Sequence, residues 1–390
     1  MGSRLLRHAL GVPLLLATVS ALVLATLPLP RSTAIAPVGR QAAVAVAAAP
    51  APSAQLAGPQ RWPHVEVRRP RALAGERAAQ LQAALERARS TFGVYGAQIA
   101  VSWDGSRTWS GASGVMRDGR TRLGVDQPMV IGSVTKTFTA ALVLQLAEEG
   151  RISLDASVAG YLPALALDPR ITVRELLSHT SGLADFYNPL AKTLLSQPDR
   201  VWTPREVLGR IGRPWFEPGA DWAYSNTNYV VLGMLAEAVS GETAARLLAE
   251  RLLAPLGLDH TRLTTGGTLL DPSWATAFWT AGALCSTASD LVRWGDALYG
   301  GSVLKPASLR QMLAFNDDDY GLGARRMTFG SHEAVGHNGM LATYTAIVLR
   351  FPADRVTVAL LVNRSEVDLP AMLAAEVGGQ PSLLDLILEQ

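Results

Sequence analysis

Apolar and polar residues alternate along four short runs of the chain, and this period of two predicts β-strands over 97–103, 108–115, 343–351 and 356–363. Asp104-Gly105-Ser106 joins the first two runs, and Pro352-Ala353-Asp354-Arg355 joins the last two. Both connections are typical of hairpin turns. The sequence therefore predicts one hairpin near each end of its folded part.

Between the two hairpins, apolar residues recur every three or four positions or a segment stops at a glycine, as in helices. This pattern predicts helices over 138–150, 173–178, 204–212, 228–241, 244–253 and 289–300, with further helices at 72–90 and 369–377. The simplest arrangement is an α/β fold of the α+β kind. An antiparallel sheet is built from both ends, helices cover it, and a mostly helical subdomain is inserted at about 140–280.

The first 36 residues have the pattern of an export signal. Arg4 and Arg7 precede an uncharged apolar run from 9 to 30, and an Ala-x-Ala motif follows. The run approaches the length of a membrane span, and Pro37 would hinder cleavage, so an uncleaved membrane anchor is the alternative. With either, we expect the rest of the chain outside the cytoplasm, secreted or membrane-anchored.

Composition sets the other boundaries and excludes several kinds of partner. Residues 37–62 are rich in Ala and Pro and are predicted to form a linker; the folded domain is expected over 63–378, with a tail over 379–390. The net charge is only +2, so no nucleic-acid partner is expected. Cys285 is the single cysteine, and the sequence shows no metal-ligand spacing, so we predict no disulfide, metal or other cofactor. We expect a monomer.

Ser133-Val134-Thr135-Lys136 lies where the apolar run 129–131 gives way to a long apolar helix. Residues three apart share a helix face, so the Lys136 amine can reach the Ser133 hydroxyl and act as its base. A lysine that extends to solvent from the helix start is the alternative. The sequence lacks the Gly-x-Ser-x-Gly signature, so a Ser-His-Asp triad is disfavoured.

Tyr224-Ser225-Asn226 directly precedes a predicted helix. One interpretation is structural: Ser225 or Asn226 caps the helix, and Tyr224 is the apolar residue before the cap. The other is catalytic, because two cations near Tyr224 would lower the pKa of its hydroxyl from about 10 and let it act as a base.

His337-Asn338-Gly339 stands before the strand predicted from 343. Asn-Gly is a strong turn signal, so a hairpin connection with an incidental histidine is one interpretation. The other places His337 at the edge of a cleft, where Gly339 lets the substrate backbone approach closely. Of the remaining histidines, His179 is expected to order a loop and His260 to lie on a surface turn.

These three motifs, in this order and at these intervals, resemble those of the penicillin-recognising serine hydrolases, which include class C β-lactamases and secreted D-alanyl-D-alanine carboxypeptidases. The resemblance covers about residues 75–365 and implies a β-lactamase/transpeptidase-like fold. Residues 224–234 and 320–326 look most like the carboxypeptidase branch.

The resemblance also implies a mechanism. Ser133 would attack the penultimate carbonyl of a peptide ending in D-alanyl-D-alanine and form an acyl-enzyme, while Lys136 and Tyr224 share the serine proton. It further implies that Asn226 orients Lys136 and the substrate, and that His337 replaces the usual lysine of the third motif. Arg325 would anchor the terminal carboxylate. The backbone N–H groups of Ser133 and Met340 would form the oxyanion site.

The sequence departs from the carboxypeptidase branch at Asn338 and Met340, where that branch has threonine. Asn338 still forms hydrogen bonds, but Met340 offers only its backbone N–H and an apolar chain. Together with Gly339 they are predicted to bind substrate. The departures therefore bear on substrate preference and not on acylation.

The expected partner is a peptidoglycan-type peptide or a β-lactam. A class C-like β-lactamase and an esterase are alternatives within the family, because one fold serves all of these activities. An exported module that binds penicillin or peptidoglycan without turnover is an alternative of another class. Lys136 and Tyr224 together argue against it, since a binding module needs no base.

Overall fold

Strands from both ends of the chain meet in one sheet. The computed structural model describes residues 70–389; the predicted export segment 1–36, the linker 37–62 and residues 63–69 lie outside the described part. The strands are β1 Arg71–Ala72, β2 Gly96–Trp103, β3 Arg107–Gly114, β4 Met129–Val130, β5 Arg262–Leu263, β6 Leu284–Ser286, β7 Arg325–Phe329, β8 His332–Leu341, β9 Tyr344–Phe351 and β10 Val356–Val362.

Seven of these strands form the main sheet, in the order β1-β3-β2-β10-β9-β8-β7. Neighbouring strands run antiparallel, except that the two-residue β1 runs parallel to β3. The N-terminal and C-terminal strands meet where β10 pairs with β2, with Leu360 opposite Ile99. This confirms the predicted antiparallel sheet. A small second sheet has the order β4-β6-β5.

Most helices of the described part lie between β4 and β7, as an inserted helical subdomain requires. None of them is long and apolar enough to cross a lipid bilayer. The α-helices are α1 Glu76–Thr91, α2 Thr135–Glu148, α3 Val158–Tyr161, α4 Val173–Ser178, α5 Tyr187–Ser196, α6 Pro204–Leu208, α7 Asn226–Ser240, α8 Ala244–Leu248, α9 Pro272–Gly282, α10 Ala288–Tyr299, α11 Pro306–Met312, α12 Leu369–Ala374 and α13 Leu383–Leu388.

Helices cover both faces of the main sheet. In β10, Val358 and Leu360 pack in a core shared with α1, α12 and α13, whereas Ala359 and Leu361 pack in the core shared with α2, α7 and α10. Burying each large aliphatic side chain contributes roughly 1.5–3 kcal/mol. The central strands are thus fixed from both sides, and β8, three places from β2, carries part of the site described below.

The sequence misses several elements, among them β7, β8, α5, α9, α11 and α13, and for three of them the local reason is clear. β7 is a charged, partly exposed strand at the sheet edge, so it lacks a clear apolar pattern. In α9, Trp279 has φ 35° and interrupts the helical period. α13 falls within 379–390, where a tail was expected; Ser382 and Asp385 form a capping box, and the helix packs in the core beside α1.

Candidate active site

Ser133 lies in a short 3-10 turn, 132–134, between β4 and α2. Gly132 in this turn has φ 51°, a left-handed conformation that favours glycine. A Cβ atom on Gly132 would lie 2.6 Å from the backbone nitrogen of Met340. The missing side chain therefore allows the turn that carries Ser133 to lie directly against β8.

Lys136 lies in the first turn of α2 and has no exposed surface. Its Nζ atom is 3.0 Å from Ser133 Oγ, 2.7 Å from Asn226 Oδ1 and 2.8 Å from the carbonyl oxygen of Ala281. This confirms that the amine reaches the serine hydroxyl. The alternative, a lysine that extends to solvent, is wrong because α7 and α9 enclose the side chain.

The partners of Lys136 determine what its amine can do. Asn226 Oδ1 and the Ala281 carbonyl only accept hydrogen bonds, so each takes one N–H of Lys136. A neutral amine has two N–H bonds and one lone pair. With both N–H bonds occupied, the lone pair is directed toward the Ser133 hydroxyl, which is the arrangement that a general base requires.

The electrostatic environment favours that neutral form. Burial, reinforced by the positive charge of Arg325, lowers the pKa of Lys136 from 10.5 to about 7, and the carboxylate of Asp185 opposes the shift. A base with a pKa near neutrality is substantially unprotonated at neutral pH and still accepts a proton readily.

Asn226 begins α7, and its amide is oriented by Asp185. The Asn226 Nδ2 atom donates to Asp185 Oδ2 over 2.8 Å, so the amide oxygen must face Lys136. Asp185 accepts the Asn226 backbone N–H as well, over 3.2 Å. Ser225 occupies the N-cap position but makes no side-chain capping bond, so the capping interpretation is wrong for Ser225, and the Asn226 side chain serves Lys136 instead.

Asp185 is a residue of the site that sequence reasoning missed. It lies just before α5, and burial raises its pKa, although the hydrogen bonds it accepts from Tyr187 and Asn226 act in the opposite direction. The only available signal was an acidic residue close to His179, which was expected to order a loop. No spacing rule connects residue 185 to a side chain 41 positions later.

Tyr224 lies over the amine, with its ring centroid 4.9 Å from Lys136 Nζ. Its hydroxyl is buried and makes no hydrogen bond of ordinary geometry with residues 70–389. Burial raises the pKa of Tyr224, although the nearby Ser133 hydroxyl and Arg325 act in the opposite direction. The expectation of a phenol with a lowered pKa is therefore wrong, because desolvation outweighs the nearby cations. Tyr224 holds its proton and can only donate it.

His337 is buried in β8, beside Tyr224 but not bonded to it. The two ring centroids are 6.4 Å apart, and His337 Nε2 lies 3.1 Å from the hydroxyl of Tyr320. Burial, together with the positive charges of Arg325 and Lys136, holds the pKa of His337 well below its usual range. The resemblance implied that His337 replaces the lysine of the third motif. The structure places a neutral imidazole at that position.

Asn338 and Gly339 lie within β8, opposite Ile347 and Ala346 of β9, so the interpretation of Asn-Gly as a hairpin turn is wrong. A Cβ atom on Gly339 would lie 2.6 Å from the backbone nitrogen of Ser133. The glycine thus brings β8 against the serine turn, as Gly132 does from the other side. The Asn338 side chain is exposed.

Met340 follows in β8, and two features of it bear on the site. Its backbone nitrogen lies close to Gly132, in the turn that carries Ser133. Its sulfur accepts a hydrogen bond from the backbone N–H of Glu366 over 3.3 Å. The side chain is thereby tied to a neighbouring loop, while the backbone nitrogen of Met340 lies beside the turn that carries Ser133.

Arg325 opens β7, and its guanidinium lies over two aromatic rings, 5.6 Å from the Tyr224 centroid and 5.3 Å from that of Tyr320. Its Nε atom is buried without a hydrogen-bond partner, and no carboxylate of residues 70–389 forms an ion pair with it. The neighbouring Arg326, by contrast, pairs with Asp319 over 2.6 Å. Arg325 is therefore a cation held in the site with its donors available to an anion.

The structure brings most of the predicted residues together around Ser133, the exposed side chain of Asn338 excepted, and it adds Asp185, Tyr320 and His179. These three come from loops and helix ends whose approach only the fold determines. Within residues 70–389, no three His, Cys, Asp or Glu side chains lie close enough to hold a metal ion.

The fold and the Ser133–Lys136 pair are those of the β-lactamase/transpeptidase-like class. Residues 81–377 match the model of the Beta-lactamase family, which is most of the chain, and the chain belongs to that family. A curated D-aminopeptidase of Brucella anthropi is 29% identical over 272 residues, a match that covers 63% of this chain. It covers 52% of the relative, so the chain spans about half of that protein's length.

Two solved structures resemble the chain over nearly their whole length. A D-stereospecific amidohydrolase from Streptomyces sp. is 30% identical, with a TM-score of 0.67, and the match covers 78% of this chain and 99% of that one. The D-amino acid amidase from Ochrobactrum anthropi SV3, complexed with D-phenylalanine, is 26% identical, with a TM-score of 0.69, and the match covers 81% and 99% of the two chains. The predicted family and fold are confirmed.

The buried amine predicts the pH dependence of acylation. If Lys136 must be neutral to accept the Ser133 proton, the acylation rate rises with pH, levels off above about 7, and falls about tenfold for each pH unit below that value. Stopped-flow labelling with a penicillin between pH 5 and 9 measures this profile. Asp185→Asn removes the negative charge that raises the pKa of Lys136, so its midpoint should move to lower pH. A profile without a midpoint between 6 and 8 contradicts this role.

Proposed function

We propose that the chain is a serine hydrolase that forms an acyl-enzyme at Ser133 and cleaves amide bonds on the carbonyl side of D-amino acid residues. The observation that carries this proposal is the 3.0 Å contact between Ser133 Oγ and the buried Nζ of Lys136. Because the other hydrogen-bonding positions of the amine are occupied, proton transfer from Ser133 is the reaction for which it is arranged.

The proposed reaction begins when Ser133 Oγ attacks the substrate carbonyl and its proton passes to Lys136 Nζ. The backbone N–H groups of Ser133 and Met340 hold the oxyanion of the tetrahedral intermediate, and each such donor typically contributes about 3 kcal/mol. Tyr224 gives its proton to the departing nitrogen and recovers one from Lys136. Water then attacks the ester carbonyl and gives a proton to Lys136 Nζ. Lys136 passes that proton to Ser133 Oγ as the ester C–O bond breaks, which releases the acid and restores the neutral amine.

For the substrate we propose, more specifically, a peptide that ends in D-alanyl-D-alanine. Arg325 supports this proposal, because it is a partly buried cation without an ion-pair partner among residues 70–389 and lies over the ring of Tyr224. A C-terminal carboxylate would accept paired, charge-assisted hydrogen bonds from the guanidinium. The chain would then act as a D-alanyl-D-alanine carboxypeptidase and would also bind β-lactams.

A second candidate is the hydrolysis of D-amino acid amides or of peptides with an N-terminal D-residue. The names of the three relatives favour it: a D-aminopeptidase, a D-stereospecific amidohydrolase and a D-amino acid amidase. The two candidates share the acylation chemistry and differ in the group that leaves. An amide releases ammonia and has no carboxylate for Arg325 to hold.

The Arg325→Ala variant separates the two candidates. Charged hydrogen bonds are worth about 1.5–3 kcal/mol each, so loss of the pair should lower kcat/KM for a peptide ending in D-alanyl-D-alanine by about 10²- to 10⁴-fold. The same peptide with an amidated C-terminus, and D-phenylalanine amide, should lose less than about threefold. Arg326→Ala, which removes the neighbouring exposed guanidinium, is the matched control and should change neither rate.

Equal losses on the free and amidated peptides would remove Arg325 from its proposed role. A wild-type protein that hydrolyses D-phenylalanine amide faster than either peptide would favour the second candidate. Covalent labelling by penicillin without turnover of any of these substrates would support the binding module instead.

A further inference from the structure

Behind the reactive residues, a row of side chains crosses the site from α7 to β8. The backbone N–H of Ser225 lies 3.2 Å from Nδ1 of His179, and Nε2 of that ring lies 3.2 Å from the hydroxyl of Tyr320. The same hydroxyl lies 3.1 Å from Nε2 of His337, and Nδ1 of His337 contacts the carbonyl oxygen of Asn338. The two imidazoles and the phenol are all buried.

The direction of each hydrogen bond follows from its two ends. His179 Nδ1 must accept, because the Ser225 N–H donates to it; the Asn228 amide nitrogen also points to it, and the Asn228 oxygen is taken by the Ser181 hydroxyl. A neutral His179 therefore carries its proton on Nε2 and donates it to Tyr320.

At the other end, the Asn338 carbonyl can only accept, so His337 carries its proton on Nδ1. His337 Nε2 must then accept a hydrogen bond, and the Tyr320 hydroxyl supplies it. The two histidines are thus opposite tautomers, and the single proton of Tyr320 connects them. No lone pair or proton of His337 is left for the substrate.

The surroundings keep both rings uncharged. Burial holds the pKa of both imidazoles well below the usual range, and the positive charges of Lys136 and Arg325 act in the same direction. The charged and titratable groups that face the three residues are Lys136, Arg325, Tyr224 and Tyr229. No carboxylate among residues 70–389 faces either ring closely enough to stabilise an imidazolium.

We propose that Tyr320 and His179 are positioning residues, which hold His337 as the neutral Nδ1–H tautomer and thereby fix β8 against the start of α7. β8 supplies the Met340 N–H, and α7 supplies Asn226, so this connection sets the oxyanion site relative to the base. His337 acts in it as a structural acceptor and not as a proton-transfer group. The inference rests on the proposed function only for its effect on turnover.

The His179 side chain is held in one orientation by its backbone and by its contacts. It ends α4 with φ 63°, a left-handed conformation that costs energy for a residue other than glycine. The two donors on Nδ1 and the acceptor at Nε2 hold the ring in place, and the Tyr224 ring packs 4.3 Å from it. The strained backbone therefore directs the imidazole toward Tyr320.

Histidine side-chain 15N NMR of the full-length protein tests the tautomers without any activity measurement. Among the signals of the six histidines, His337 should give a neutral Nδ1–H imidazole and His179 a neutral Nε2–H imidazole, both unchanged from pH 5.5 to 8. These two signals should disappear in His337→Gln and His179→Gln respectively. If either ring titrates in this range, or both share one tautomer, the inference is overturned. Failure of Ser133 to be the nucleophile would leave this spectrum unchanged, so the two hypotheses fail independently.

The Tyr320→Phe variant tests the positioning role. It keeps the ring beneath Arg325 but removes both hydrogen bonds, and a small displacement of β8 should lower kcat about 10- to 100-fold with KM within about threefold. The His337 signal should change from one tautomer to a mixture. Tyr299→Phe removes another buried hydroxyl, one without a hydrogen-bond partner among residues 70–389, and should change neither quantity. Wild-type kcat in Tyr320→Phe, or a loss confined to KM, would rule out the proposed role.

Discussion

The Ser133→Ala variant should lose all covalent labelling by a penicillin, and its amide hydrolysis should fall by on the order of 10⁴- to 10⁶-fold, as happens when a serine nucleophile is removed. The fold should be preserved, because Ser133 is partly exposed and its hydroxyl contributes one hydrogen bond to Lys136. Intact-protein mass spectrometry after incubation with penicillin measures the adduct, and the melting temperature reports the fold.

Ser102→Ala is the matched control for this variant. Ser102 is buried in β2, and its hydroxyl has no hydrogen-bond partner among residues 70–389, so labelling should be the same as in the wild type. An adduct that persists in Ser133→Ala would show that another residue is acylated. Loss of labelling in both variants would indicate damage to the fold and not to the nucleophile.

The Lys136→Met variant should lower the acylation rate by about 10²- to 10⁴-fold, because the side chain keeps its length but loses the base. The residual rate should no longer have a midpoint near pH 7. Asn226 Oδ1 and the Ala281 carbonyl lose their donor, and each buried unsatisfied acceptor costs roughly 1–3 kcal/mol, so the melting temperature should also fall.

Lys192→Met is the control for that substitution, because Lys192 is exposed on α5 and makes no contact with the site residues. It should leave the acylation rate and the melting temperature unchanged. If Lys136→Met acylates at the wild-type rate, another group takes the serine proton. Tyr224 would then be the nearest candidate, despite the burial that raises its pKa.

The parts of this site that the sequence predicts are those fixed by local geometry. Ser133 and Lys136 are three residues apart at a helix start, so their contact follows from helix geometry alone. The strand pairs β2–β3 and β9–β10 follow from alternation and turn residues. The roles of Asn226 and Arg325 come from the resemblance, and the structure places Asn226 against Lys136 and Arg325 over the ring of Tyr224.

The parts that the sequence does not predict depend on distant segments. Asp185 reaches Asn226 across 41 positions, and Tyr320 reaches His179 across 141, separations that no local rule connects. The pKa of Tyr224 was expected in the wrong direction, because a sequence shows neighbouring cations more readily than it shows burial. His337 was predicted to be catalytic, but the hydrogen bond from Tyr320 that occupies its ring is visible only in the fold.

The proposed chemistry depends on transfer of the Ser133 proton to a buried Lys136 whose pKa is lowered to about 7. NMR of protein labelled with 15N at lysine Nζ tests it directly, because the chain contains only three lysines and Lys136→Met identifies the relevant signal. The Lys136 amine should titrate with a midpoint at about 7. A midpoint above 9, which would leave the amine charged at neutral pH, would contradict it.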